Sequence, residues 1–445
     1  VVGASLSGAQ THVLELVAAL ARTGADRLRV LPGAELGGEP REVLESLNGV
    51  KILSGTLPDA PPVDIVHRPS QVAVPYDLEL LARLGDRVVV TQQDLIAYRN
   101  PAYHATLSWW RQYRRATRLA MAMADAVVFS SRHTLEDALA DDLVDERRAH
   151  VLPIAAEHTL VALAGPPQRP EGLPSAVSHA GYLLCLGNDF KHKNQVFALH
   201  LLDALRRRGW TGSLVFAGGK VEHGSSRPDE DALIAERPGL AEAVVRLGPV
   251  SEPEKAWLYK HAAAVAYPTL YEGFGLVPFE AGRAGVPCLF APQASLAEVL
   301  PAEAALLVQW DEEVSAERVL PLLTASPERT AHVELLRRAA GALSSWDDHA
   351  AALIEVYERA LSLPEREARA VAHEAVEREV ELARWRELEE EFGPDGFSLI
   401  RPGGYLPQDI QRALLAVATR PRMRAPLFAL LRAFYRAGHE ARGRR

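Results

Sequence analysis

The 445-residue chain has only two cysteines, Cys185 and Cys288, each inside an apolar, strand-like run. Two such thiols exclude a disulfide framework or a cysteine-based zinc cluster, and they fit a reducing compartment. Lysine is scarce too: six stand among 49 basic residues, at 51, 191, 193, 220, 255 and 260. No stretch approaches the roughly 18 consecutive apolar residues of a membrane-spanning helix. The balance of 58 acidic against 49 basic residues, net −9, argues against a nucleic acid partner held by general charge. Neither H-E-x-x-H nor a paired C-x-x-C occurs and the fifteen histidines are scattered, so no metal site is expected. A G-x-G-x-x-G following a strand is missing, which removes the dinucleotide fingerprint. Gly3 and Gly8 have the outer spacing of a P-loop, but Ala9 and Gln10 replace its Lys and Ser/Thr.

What is present can fold. Hydrophobic residues make up 48% of the chain and charged residues 24%, enough for sizeable cores. At about 150 residues per domain the length fits two or three domains. Val13, Leu16, Val17 and Leu20 follow the i, i+3, i+4, i+7 spacing of a half-buried helix, with Gly24 placed to end it. Strand-like runs follow at 28–31, 63–67, 87–91 and 126–130, with helical stretches between most of them. That alternation implies a parallel sheet covered on both faces. Only Val1 and Val2 precede the first loop, fewer than a first strand needs, so a preceding segment is expected.

Gly165 to His179 holds four prolines and two glycines in fifteen residues without periodicity, and reads as a linker. The alternation then restarts, with runs at 182–187, 213–219, 244–248, 264–268, 287–292 and 304–308. A helix over 346–361 is expected to close this second unit. The predicted division is an α/β domain over 1–164, a linker over 165–179, a second α/β domain over 180–362 and a helical extension over 363–445. Two such units enclose a cleft, and ligands of open parallel sheets bind at the carboxyl ends of the strands. The extension is expected to pack on the second domain. Its last helix sets arginines beside Leu427, Phe428, Leu431 and Phe434, a pattern that also suits a peripheral membrane surface or a homo-oligomer contact.

Three loops, each just after a predicted strand or turn, carry the chemistry. ASLSGAQTH runs small residues into a helix; Gly8 permits close backbone approach to an anion at the helix start, and a simple tight turn explains it equally well. LLCLGNDFKHKN ends a strand at Gly187 and carries Asn188, Lys191, His192 and Lys193 toward the next helix. These basic side chains either neutralise a phosphate at the cleft or form a solvated loop. The third loop, AVAYPTLYEGFGLVPFEAGRAGVP, is the most specific. Glu272 and Glu280 stand eight residues apart around a Gly-Phe-Gly turn that opens a helix. The N–H groups of Phe274, Gly275 and Leu276 would be unpaired and aimed at an anion. Carboxylates suit sugar hydroxyls, which are donors in need of acceptors. The bland alternative, a helix cap at Glu272 and a surface Glu280, fits poorly with the apolar walls of Tyr271, Phe274 and Pro278.

Those residues resemble the donor-binding half of a retaining glycosyltransferase of family 4, whose E-x7-E motif stands here as EGFGLVPFE. The resemblance covers essentially all of 180–310, including LGNDFKHKN, SLVFAGG, LGPVSEPEKAWLYKHAAAVAYPT and GVPCLFAPQASLAEV. The first domain matches more weakly, through SLSGAQTHVLELVAAL, VVVTQQDL and ADAVVFSSRHTLEDAL, and 363–445 lies outside it. The resemblance implies a GT-B fold: α/β, two Rossmann-like domains whose parallel sheets face a cleft, with the helical extension added. It implies a nucleotide-sugar donor, a carbohydrate or small-molecule acceptor, no cofactor and no metal. Lys193 would neutralise the diphosphate, helped by backbone N–H groups near Gly8 and at Gly275 and Leu276. Glu272 would hold donor-sugar hydroxyls near the reacting carbon, and Glu280 the nucleotide ribose. The loop through Val250 would border the base, and Gly187, Asn188, His192 and Phe274 would complete the donor site.

Two departures from the family pattern stand out. Ala9 replaces the second of two glycines, a small change. Where the family often has a histidine after the VVVT strand, this chain has Gln92-Gln93-Asp94. Gln93 is the positional match; it can hydrogen-bond a sugar or phosphate oxygen but cannot carry a proton, and Gln93 or Asp94 is expected to contact the acceptor or sugar. The WWRQYRRATRLAM segment lines an acceptor path, touches a membrane or is ordinary structure. The expected activity is sugar transfer to an acceptor hydroxyl in the cytoplasm or at the inner membrane surface. Two alternatives stand beside it, a nucleotide-sugar 2-epimerase of the same fold and an inactive donor-binding partner. The first needs extra acid–base residues that the sequence does not show; the intact Glu272–Glu280 loop argues against the second.

Overall fold

The computed structural model describes residues 8–24, 28–32, 38–53, 63–156, 166–175, 177, 181–364, 372–384 and 386, with single positions at 413, 414, 417, 427 and 429. The ASLS loop before Gly8 and the basic helix around Phe428, Leu431 and Phe434 lie outside the described residues.

All described strands pair in parallel. The first domain has a four-stranded sheet in the order β3 (Val63–Arg68), β4 (Gly85–Gln92), β5 (Ala126–Phe129), β6 (Ala149–Val151). Beside it, β1 (Leu28–Val30) pairs with β2 (Val50–Ile52), a strand absent from the sequence reading. The second domain has a five-stranded sheet in the order β11 (Cys288–Leu289), β10 (Ala264–Ala266), β7 (Tyr182–Leu186), β8 (Ser213–Ala217), β9 (Val244–Gly248). β7 and β8 are buried at every position, as strands covered on both faces must be. The run at 304–308 is not a strand of this sheet. It forms a 3-10 turn at Ala302–Ala304, after which the N–H groups of Leu306 and Leu307 share the Phe290 carbonyl beyond β11.

Three expectations about packing change. Part of the proline-rich segment is not a free linker: Leu173 and Val177 are buried in the second domain's core, and Gln168 N–H donates to the Pro253 carbonyl at 3.0 Å. The helix Trp346–Ser362 does not close the second domain. It returns to the first, where Trp346, Ala350, Leu353, Val356 and Ala360 pack with Leu16, Leu20, Val89, Ala126 and Val128. Helical spacing gathers these five residues on one stripe, and the face of the first sheet beside the helix Gly8–Arg22 offers the apolar surface they need. The described part of the extension likewise packs on the first domain. Ala372, Val376 and Val380 join the core under Leu78, Leu81, Ala116 and Ala120, while Glu379 pairs with Arg115 at 3.0 Å and Arg384 with Glu79 at 2.7 Å. The charged pattern fits that site because arginines and carboxylates face each other across the apolar stripe.

Candidate active site

The carboxyl ends of the two sheets face each other, and the sequence-chosen loops meet there. From the first domain come Gln93 and Asp94 after β4, and Ser130 after β5. From the second come residues 187–194 after β7 and 267–276 after β10. The β7 loop leaves the sheet through Gly187 at φ +109°, and a Cβ on Gly218 would lie 2.1 Å from the Gly187 carbonyl. Only glycine at the ends of neighbouring strands β7 and β8 allows the two backbones this close. Asn188 then accepts the Gly219 N–H at 2.8 Å, and buried Asp189 accepts from Val221 N–H at 2.7 Å and Ser225 at 3.0 Å. The loop finishes as the single turn Lys191–Lys193 and enters the helix Gln195–Arg207 through Asn194, whose φ is +50°. Asparagine tolerates that left-handed conformation better than most residues.

Only one of the three basic side chains of this loop reaches the buried acidic centre. Lys191 pairs with Asp229 at 3.2 Å and is half exposed. His192 is held neutral: burial, reinforced by Lys193 and opposed by Glu272, lowers its pKa to about 4. Lys193 donates from Nζ to Glu272 Oε1 at 2.7 Å and lies 5.3 Å from the centre of the Tyr267 ring. Thr269 donates to the same Glu272 oxygen at 2.7 Å, and the Glu272 carbonyl accepts from Ser295 at 2.9 Å. Burial alone would raise the Glu272 pKa, but Lys193, His192 and the bonds from Lys193 and Thr269 more than offset it and hold the pKa below its usual value. Glu272 is thus an ionised, buried carboxylate, not a solvated helix cap.

The helix that follows is Val277–Ala284, one residue later than the sequence reading placed it, with Leu276 as N-cap and Pro278 in the first turn. Gly275 stands at φ +90°, and a Cβ there would meet the Leu296 side chain at 2.5 Å. Among the described residues, no acceptor meets the N–H groups of Phe274, Gly275 or Leu276. An open helix start therefore stands beside an ammonium group, a setting made for an anion with several negative oxygens. Among the described residues, no group of three or more His, Cys, Asp or Glu is placed to hold a metal ion.

Glu280 is buried, with 8% of its surface exposed, which removes the surface alternative. It accepts from Tyr259 Oη at 2.5 Å and Lys255 Nζ at 3.4 Å. The sequence reading missed both partners. The signal was present: the capping box of Ser251 and Glu254 starts the helix Glu252–His261, which sets Lys255 and Tyr259 one turn apart on one face. Val250 follows β9 and lines a surface cavity with Leu247, Pro249 and Glu254, together with Gln168 and Glu171 of the proline-rich segment.

Asp94 is half-buried at the same cleft, accepting from Ile96 N–H at 2.9 Å and Gln71 at 3.0 Å. Burial raises its pKa, and the negative charge of Glu272 adds to the rise. Gln93 stands beside it, just after the end of β4. Its carbonyl accepts from Ser130 at 2.7 Å, and the residue lines a small closed cavity with His12, His67, Thr91 and His349. Several direct contacts bridge the cleft. Ser130 also donates to the Gly273 carbonyl at 3.0 Å, Tyr271 donates to Asp137 at 2.5 Å, and Glu298 accepts the N–H groups of Arg132 and His133 at 3.0 Å each. None of these was legible beforehand, because each joins loops of different domains.

Residues 180–325 match the model of a family described as "Glycosyl transferases group 1". A D-inositol 3-phosphate glycosyltransferase of Mycobacterium avium is 33% identical over 150 residues, 33% of this chain and 35% of that protein. The chain thus spans about a third of the length of the curated relatives it first matches. A longer match, 26% identical over 349 residues, covers 73% of this chain and 77% of an MMP alpha-(1->4)-mannosyltransferase of Mycolicibacterium hassiacum. Among solved structures, Anabaena HepE in complex with UDP and glucose superposes with a TM-score of 0.58 at 16% identity, covering 80% of this chain and 97% of that one. WaaG, a glycosyltransferase involved in lipopolysaccharide biosynthesis, superposes with a TM-score of 0.54 at 18% identity, covering 79% and 96%. The architecture is the GT-B fold: two Rossmann-like domains, with a helical part packed on the first.

Proposed function

We propose that this protein is a retaining glycosyltransferase that moves a sugar from a nucleoside diphosphate sugar to an acceptor hydroxyl. The observation that carries the reading is Lys193 paired with Glu272 at 2.7 Å beside the open N–H groups of Gly275 and Leu276. The names of the similar proteins point the same way, since each is called a glycosyltransferase or was solved with UDP.

As the bond from the anomeric carbon to the diphosphate breaks, negative charge grows on the leaving phosphate. Lys193 and the two amides are fixed where that charge develops, and such preorganised electrostatics is often the largest catalytic contribution. They supply positive charge at the place a metal would otherwise occupy, so the reading requires no metal. Glu272 does two things: it orients Lys193, and its remaining acceptor capacity suits hydroxyls of the donor sugar. Glu280, held by Tyr259 and Lys255, is built to accept from the ribose. The reading assigns no enzyme nucleophile among the described residues. The acceptor oxygen attacks from the face the diphosphate leaves, and its proton passes to the departing phosphate, which retains the configuration. The raised pKa of Asp94 gives it a share of protonated form as pH falls, which suits a hydrogen bond to the acceptor or sugar.

Thermal-shift titration with UDP, GDP, ADP and dTDP, wild type beside Lys193→Ala, tests the donor site. A nucleotide at 100 times its dissociation constant stabilises the fold by about 2.7 kcal/mol. The expected outcome is a clear shift with one nucleotide that shrinks in the variant. A folded wild type silent toward all four would contradict the reading, and binding without turnover would favour an inactive donor-binding partner.

A further inference from the structure

Tyr103 belongs to the first domain, on the short turn Pro101–Tyr103 that follows β4 and the helix Ile96–Arg99. It nevertheless sits in the second domain's donor loop. Its oxygen accepts the His192 backbone N–H at 2.9 Å and lies 2.9 Å from His192 Nδ1. Its ring packs against Phe190 at 5.5 Å and lies over Gly224, where a Cβ would meet the ring at 2.9 Å. That glycine carbonyl in turn accepts the Lys191 N–H at 2.7 Å. Tyrosine has one proton to give. Given to Nδ1, that proton would leave His192 neutral with its hydrogen on Nε2. The His192 carbonyl accepts from Leu270 N–H at 2.7 Å, on the same loop as Thr269, whose hydroxyl donates to Glu272 at 2.7 Å. The backbone that Tyr103 holds at His192 is thus tied to the loops of both Lys193 and Glu272.

We propose that Tyr103 is a positioning residue of the donor site. Supplied across the cleft, it holds both the backbone N–H and the side chain of His192, and so steadies the loop that carries Lys193. The inference rests on the glycosyltransferase reading of the site. Its consequence is that this loop is held from both domains, by Tyr103 from the first and by the Leu270 N–H from the second.

The test uses the full chain, Tyr103→Phe, and whichever of UDP, GDP, ADP and dTDP binds the wild type. Phenylalanine keeps the ring over Gly224 and removes both hydrogen bonds. Turnover of the corresponding sugar nucleotide at pH 7.5 should fall about tenfold while nucleotide affinity changes less than threefold. The second readout is the coupling between Tyr103 and His192. Burial, the largest cause of the lowered His192 pKa, persists under phenylalanine, so the imidazole stays neutral in the variant. Tyr103→Phe and His192→Asn should each lower turnover, and the double variant should be no slower than the slower single variant, because both remove the same side-chain bond. Losses that multiply in the double variant, or a Tyr103→Phe protein that turns over like wild type, overturn the role of Tyr103 while leaving the donor site intact. Silence of the wild type toward all four nucleotides overturns the donor-site reading and this proposal together.

Discussion

Replacing Lys193 by alanine removes one ammonium from a buried carboxylate, and the consequences for stability and catalysis separate cleanly. Glu272 keeps its bond from Thr269 but loses the cation 2.7 Å away. Its side chain is 10% exposed, so the unpaired charge cannot rehydrate. The cheapest escape is protonation, and that bounds the part of the cost that comes from the raised carboxyl pKa of the variant, beside the stabilisation by Lys193 that is lost. A carboxyl with an unfolded value of 4.5 that must stay protonated at pH 7 loses at most about 3.4 kcal/mol, from 2.5 units at about 1.36 kcal/mol each. That ceiling falls within the range of about 3–5 kcal/mol for breaking a buried pair from one side. In wild type the lowered Glu272 pKa adds stability that is present above 4.5 and lost as pH falls through the folded value. In the variant the folded pKa is raised instead, so its deficit grows as pH climbs above 4.5 and vanishes below it. Catalysis should behave differently. Losing one electrostatic group at a leaving phosphate costs about 10²–10³ in turnover, and lowering pH does not restore it. Urea melts at pH 4.5 and 7, with turnover measured beside them, read both effects. Adding Glu272→Gln to Lys193→Ala should recover much of the stability at pH 7 and none of the rate. A Lys193→Ala protein as active as wild type, or one whose stability deficit is the same at both pH values, would refute the reasoning.

Two further perturbations probe other parts of the cleft. Glu280→Gln removes the charge between Tyr259 and Lys255, and isothermal titration should show nucleoside diphosphate affinity weakened by about 1.5–3 kcal/mol, the value of a charge-assisted hydrogen bond; an equal or larger loss in turnover at saturating donor would contradict its assignment to the ribose. Gly273→Ala would set a Cβ 2.0 Å from the Gln93 carbonyl across the cleft. The second domain's own core does not contain that contact, so the melting temperature should hold within a few degrees while turnover falls about a hundredfold, as expected when reacting groups are misplaced by an ångström.

How far the site could be read from the chain depends on how local each part is. EGFGLVPFE is self-contained: the turn, the helix start and both carboxylates lie within nine residues. Their chemistry follows from glycine conformation, unpaired amides and carboxylate acceptors, so Glu272 and Glu280 were named without seeing a contact. Within LLCLGNDFKHKN the residues alone did not separate Lys193 from its basic neighbours; the family resemblance did. The state of His192, next to Lys191, was not legible either. Its spacing says basic, yet burial against Tyr103 makes it neutral, and Tyr103 lies 89 residues away. The helix Trp346–Ser362 erred the same way: periodicity gave its existence and buried face, but could not say which domain that face would cover. The first domain's side of the cleft is harder to read, since position alone could not show that the Gln93 carbonyl accepts from Ser130. Sequence pattern therefore reaches as far as one loop and its helix. What it cannot supply is closure, because Ser130 with Gly273, Asp137 with Tyr271, and the helix start at Arg132 with Glu298 are each an unremarkable pair until two domains meet. The candidate site's own residues are therefore legible in one such loop, whereas the bonds that join it to the first domain are not.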